Sequence, residues 1–150
     1  MVTTHLKAKK GFEKMRTEQA TQLVDKLTQW NLSATIITGD LNDTPDSSAL
    51  KVMYDSGIVS CAGAQEPDFT THKYRDGVGM TTRTIDYMFY QQDKIDSDVA
   101  RIEQVSGVYE LPRREHLPAT GYPTENHPSD HLALGYQFTF VKPGGANAAG

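Results

Sequence analysis

Three short blocks constrain the fold of this chain more than anything else in it: Gly39-Asp40-Leu41-Asn42, Thr84-Ile85-Asp86-Tyr87 and Pro128-Ser129-Asp130-His131. Each sets a carboxylate where a strand-like run meets a loop. Side chains from segments this far apart converge when strands of one sheet end side by side. The chain therefore needs a sheet whose strand ends gather at one rim.

The remaining pattern supplies the elements. Val2 to Leu6 alternates as a strand. Phe12 to Trp30 predicts a helix whose core face carries Met15, Leu23, Val24, Leu27 and Trp30. Ala34 to Thr38 is a β-branched run that reads as a buried strand ending at Gly39-Asp40. Asp46 or Ser47 can cap a second helix over about Ser47 to Ser56, ended by Gly57. Residues 59–68 read as irregular loop. Phe69 to Tyr74 and Thr84 to Gln91 read as strands, with a hairpin-like turn at Asp76-Gly77-Val78-Gly79. Val99 to Val105 is a further strand. Residues 106–128 hold four prolines and form a long loop before the last block. Leu132 to Val141 closes the chain as an alternating strand.

Strand, helix, strand, helix and then mostly strands define an α/β fold of sheet layers covered by helices. At 150 residues the chain is long enough for one domain with a real core, expected over residues 1–141. The small, aperiodic end, Pro143 to Gly150, predicts a disordered tail over 142–150. An alternating strand that carries a candidate site histidine, His5, already stands at residue 1, as if a larger domain had been cut. The missing N-terminal half of that domain is thus an expected partner. The face it would cover invites self-association of the fragment.

Charge and composition exclude some functions. Net charge is −4, so nonspecific coating of nucleic acid is excluded, and any phosphate must be attracted locally. The basic cluster Lys7, Lys9, Lys10, Lys14 and Arg16 can do this through Lys7 and Lys9 beside His5; Lys10, Lys14 and Arg16 equally fit a solvated helix face. Cys61 is the sole cysteine, which precludes an intrachain disulfide; it reads as buried filler. No run approaches the roughly 20 apolar residues of a membrane helix, so no membrane partner is expected. A cytoplasmic setting fits, with a mitochondrial one as the alternative.

The residue types in the three blocks point to metal-assisted attack on a phosphate ester. That chemistry needs the phosphate charge neutralised, water deprotonated and the leaving oxygen stabilised. Asp130 reads as the metal ligand for Mg²⁺, with Mn²⁺ as the alternative ion. His131 reads as a general base or transition-state stabiliser, oriented by Asp86. Asp40 can orient the water while Asn42, two residues on, binds a phosphate oxygen without adding charge. His72 either faces substrate or alternates outward on a strand, and His116 and His127 read as loop residues.

Thr4-His5-Leu6-Lys7-Ala8-Lys9, the three blocks and Thr70-Thr71-His72-Lys73-Tyr74-Arg75 together resemble the endonuclease/exonuclease/phosphatase family. Within it they are similar to the branch related to the carbon-catabolite-repressor-type deadenylases. The resemblance runs to about Val141. It implies the C-terminal half of a four-layer α/β sandwich and Mg²⁺-dependent phosphoester hydrolysis. It implies that His5 touches the scissile phosphate and that Lys7, Lys9, Lys73 and Arg75 contact substrate. The substrate it implies is the 2′-phosphate of NADP(H) or the 3′ end of poly(A) RNA. The branch has arginine where Lys9 stands and tryptophan where His72 stands. Its first half supplies a glutamate metal ligand, so the isolated chain is expected to be inactive. The alternative is a non-catalytic interaction domain that retains the nuclease fold.

Overall fold

The computed structural model describes residues 1–32, 34–63, 66–92, 101–108 and 110–141. The tail expected over 142–150 lies outside the described residues. Among the described residues, eight strands and two α-helices run in the order β1 (Val2–His5), α1 (Glu13–Trp30), β2 (Ala34–Asp40), α2 (Ser48–Asp55), β3 (Val59–Ser60), β4 (Thr71–Arg75), β5 (Gly79–Arg83), β6 (Asp86–Gln92), β7 (Arg101–Gly107) and β8 (Tyr136–Val141). The fold is mixed α/β, as the pattern predicts.

The main sheet has the order β1-β2-β6-β3, with two small hairpin sheets, β4-β5 and β7-β8. β1 runs parallel to β2, and β6 antiparallel to it. The β-branched run of β2 suits the centre of this sheet, where one face is fully covered. On that face Ile37 lies opposite Phe89, and Gly39 opposite Tyr87. Ala20 and Leu27 of α1, and Ala49, Leu50 and Met53 of α2, close over them as one core cluster. Each such large apolar side chain contributes about 1.5–3 kcal/mol through burial. Alternate residues Ile36, Thr38, Met88 and Tyr90 face the other way and are only half-buried. That second face is the one another sheet covers in a four-layer sandwich.

Several elements differ from the sequence reading. Met15 and Trp30 are 42% and 52% exposed instead of core-facing. The buried stripe of α1 runs through Arg16, Ala20 and Leu27; Met15 lies about 100° around the helix from Arg16, and Trp30 is the last helical residue. Arg16 is buried instead of solvated. Residues 59–68 contain a short strand, β3, because the backbone of Val59-Ser60 meets the free edge of β6. β5 follows the hairpin turn and was not anticipated, since Gly79 to Arg83 lacks apolar alternation and is held by its ladder to β4. β8 begins only at Tyr136: Leu132 is instead drawn to Thr70, whose carbonyl accepts its N–H at 2.8 Å. Ser47 caps α2 by accepting the Leu50 N–H.

Candidate active site

Strand register builds the site. His5 pairs with Asp40 across β1 and β2, and Asp40 pairs with Asp86 across β2 and β6. Three ionisable side chains therefore stand in one row at the rim of the main sheet, on its less covered face. Gly39 makes this row close: a Cβ there would sit 1.9 Å from the Thr4 carbonyl oxygen. A glycine just before the aspartate is what lets β1 approach β2 at this level.

The fourth member arrives on the long proline-bearing loop. That loop runs back along β4. Tyr122 N–H donates to His72 O at 2.7 Å, Gly121 bridges Lys73, and His131 bridges Thr71. His131 Nδ1 then lies 2.9 Å from both carboxylate oxygens of Asp86. Two further contacts pin its backbone. Ser129 Oγ accepts the His131 N–H at 3.0 Å, and His127 Nε2 donates to the His131 carbonyl at 3.0 Å. The His127 ring in turn packs on Tyr122 at 4.6 Å between centroids.

Asn42 stands at φ +52°, a left-handed conformation asparagine tolerates. Its N–H donates to Asp40 Oδ1 at 2.7 Å, and its carboxamide Nδ2 donates to Leu6 O at 3.1 Å. One amide proton remains for an anion. Asp40 Oδ2 lies 3.5 Å from the exposed His5 Nε2. Desolvation first, and then the charge of Asp86, push the Asp40 carboxyl above the usual carboxylate range, against the opposing pull of the Asn42 N–H.

A cation beside these carboxylates would relieve that repulsion. Asp40, Asp86 and His131 bring candidate ligand atoms within 4.8 Å of one another. The carboxylates suit a hard divalent ion, and Asp40 Oδ2 accepts no backbone or hydroxyl hydrogen bond, whereas Asp86 already accepts from Thr70 and faces His131 with both oxygens. Asp130, the metal ligand expected from the sequence, stands outside this group. Its Oδ2 pairs with Lys73 Nζ, whose hydrogen bond holds the Asp130 carboxyl below its usual range. Lys73 is thereby engaged with a neighbouring side chain, not turned free to substrate.

The other expected substrate contacts divide. Lys7 lies over the Phe12 ring at 4.9 Å. Lys9 and Arg75 line a cleft of about 490 Å³, with Asn42 at its floor. Lys10, which the sequence left open between phosphate attraction and a solvated helix face, lines it too, as does Arg83, which sequence reasoning missed because it enters through the unanticipated β5. Among the described residues, none of these four cations has a carboxylate within ion-pair distance. Arg16 shapes the cleft from beneath. Its guanidinium donates to Asp43 Oδ2 at 2.9 Å and to the carbonyls of Lys7 and Lys9 at 3.1 and 2.9 Å. His72, read as outward or substrate-facing, is buried because the long loop covers it; its ring meets Thr82 Oγ1 and the Pro118 carbonyl. Burial pushes the Cys61 thiol up to about 12, as expected of filler. Thr70, which donates to Asp86, carried no local sequence signal beyond its place in the Thr70–Arg75 run.

Solved proteins of the endonuclease/exonuclease/phosphatase class share this mixed α/β fold. A solved protein of that class from Bacteroides thetaiotaomicron superposes with a TM-score of 0.54 at 18% identity, over 93% of this chain and 48% of that one, which speaks for the fold alone. Within the class, nocturnins are homologues of this chain. Nocturnin of Xenopus laevis is 34% identical over 148 residues, 91% of this chain and 36% of its own length, and human nocturnin is 31% identical over 153 residues, 95% of this chain and 33% of its own. The human nocturnin catalytic domain, solved with a bound sulfate anion, superposes with a TM-score of 0.57 at 28% identity, over 92% of this chain and 47% of that one. The chain thus spans about a third of the length of these curated relatives and about half of the solved catalytic domain. No protein-family profile matches it. No described helix is long and apolar enough to cross a membrane.

Proposed function

We propose that this chain carries part of a nocturnin-type, Mg²⁺-dependent phosphohydrolase, with Mn²⁺ as a substitute ion. The observation that carries the reading is the register row of His5, Asp40 and Asp86, closed by His131 on Asp86. In the reaction, water attacks phosphorus and the ester oxygen departs. Asp40 orients the water. Asp86 holds His131 with its proton on Nδ1, leaving Nε2 free to accept the water's proton. The unspent amide proton of Asn42 and the exposed ring of His5 bind the phosphate oxygens. A bound Mg²⁺, held through Asp40, would neutralise charge on the phosphate.

Two substrates fit such a site: the 2′-phosphate of NADP(H) and the 3′ end of poly(A) RNA. A polymer track requires a basic groove with stacking aromatics. The cations here are instead gathered in one compact cleft beside Asn42, which favours the small nucleotide. The chain spans only about half of the solved nocturnin domain, so we propose that by itself it binds metal weakly and turns over little or no substrate. The test is phosphate release from NADP(H), and shortening of a 3′ poly(A) oligonucleotide, by the longest reading frame that contains this chain. Mg²⁺-dependent release that EDTA abolishes is expected. Failure on both substrates by a folded, Mg²⁺-loaded protein would overturn the reading. Robust turnover by the 150-residue chain alone, lost in Asp130→Ala, would overturn its proposed incompleteness.

A further inference from the structure

The Thr70 hydroxyl is a junction that the mechanism above does not use. Thr70 is 0% exposed. Its Oγ1 lies 2.7 Å from Asp86 Oδ2, and 3.0 Å from each of the backbone nitrogens of Ile85 and Asp86. A hydroxyl has one proton and two lone pairs. Backbone N–H groups only donate, so the two of them occupy both lone pairs. The single hydroxyl proton then has one destination, the Asp86 carboxylate. That bond, anchored by the two N–H groups behind it, fixes the rotamer of the Asp86 carboxylate, whose two oxygens both lie 2.9 Å from His131 Nδ1; the carboxylate only accepts, so Nδ1 is the donor. The main chain of the same residue grips the other partner: Thr70 O accepts the Leu132 N–H at 2.8 Å, directly after His131.

We propose that Thr70 is a positioning residue that fixes the rotamer of the Asp86 carboxylate, and through it keeps the His131 imidazole in the Nδ1–H form with Nε2 open to the reaction. Its functional consequence rests on the reading of His131 as the base. The structural claim does not, because it concerns how one carboxylate is held against one imidazole.

The test compares wild type with Thr70→Val, which keeps the shape and removes the hydroxyl, and Thr70→Ser, which keeps the hydroxyl. Nitrogen-15 NMR at one fixed pH, in metal-free protein, should show neutral His131 protonated on Nδ1 in wild type and in Thr70→Ser. Thr70→Val should show a mixture of the two tautomers. In the active full-length protein, Thr70→Val should lower kcat between about 10- and 100-fold with KM little changed, and Thr70→Ser should restore most of it. Should Thr70→Val fail to fold, wild type alone still decides: the Thr70 hydroxyl proton should be visible and slow to exchange. A wild-type His131 protonated on Nε2, a fast-exchanging Thr70 hydroxyl, or a folded Thr70→Val with an unchanged tautomer would each overturn the proposal. These readouts need no turnover, so they separate its failure from failure of the phosphohydrolase reading.

Discussion

At the rim of the main sheet, the carboxylates and His131 are tied down, Asp40 to Asn42 and Asp86 to Thr70 and His131, with only His5 exposed beside Asp40. In the cleft that Asn42 also lines, the cations Lys9, Lys10, Arg75 and Arg83 have no carboxylate partner among the described residues and are exposed. The two regions solve different problems. Proton transfer needs a fixed distance and a fixed tautomer, which buried hydrogen bonds enforce. Attracting an anion needs only field, which falls slowly with distance and tolerates mobile side chains. The floor they share is stiffened from below by Arg16, whose fork ties both the Lys7–Lys9 loop and Asp43.

If the rim works through fixed geometry, Asp86→Asn should be the most damaging change. The carboxamide keeps the shape but loses the charge that orients His131, and kcat in the phosphate-release assay should fall about 10²- to 10⁴-fold. A loss under tenfold would remove the Asp86–His131 pair from the chemistry. Arg16→Ala should come next, as a stability effect. Arg16 is 4% exposed, and losing it strands Asp43 and two carbonyls; urea unfolding should register a loss of about 3 kcal/mol. An unchanged midpoint would show that the shared floor does not need this clamp. The cleft should respond differently. Arg75→Ala combined with Arg83→Ala should raise KM about tenfold, leave the melting temperature unchanged, and matter less as salt rises. A fall in kcat with KM intact would mean that the cleft, too, acts through geometry.

The smallest effect concerns pH. Asp40 is raised above 3.8 by burial and by Asp86. A carboxyl with a raised folded-state pKa binds its proton more tightly folded than unfolded. Stability is then highest below 3.8 and declines as pH climbs through the raised folded value. Asp40→Asn should abolish that decline and be more stable than wild type, by under about 1 kcal/mol, above this window. Adding Mg²⁺ to wild type should narrow the gap. A wild-type protein that gains stability across the same window would show that Asp40 is not desolvated in this way.

Some of this was legible without coordinates. The acid-bearing blocks, the strand ends that carry them, both helices and the α/β class follow from period and residue type, which are local properties of the chain. The Asp86–His131 pairing was anticipated from chemistry. What was not legible depended on contacts between distant segments. β3 and β5 have almost no pattern of their own and exist because an edge or a neighbouring strand offers hydrogen bonds. Arg16 looks like any basic helix residue until Asp43 and the Lys7 and Lys9 carbonyls surround it.

By itself, then, the order of residues determined which side chains were available for chemistry and at which strand ends they would emerge, since backbone periodicity and turn preference act over a few neighbours. The tertiary structure alone decided how those side chains were shared out: Lys73 to Asp130, Thr70 to Asp86, Arg83 to the cleft. The reason is physical. Hydrogen bonds and ion pairs are short-ranged, so a partner sixteen or fifty-seven residues away is chosen by the fold's register and not by spacing along the chain.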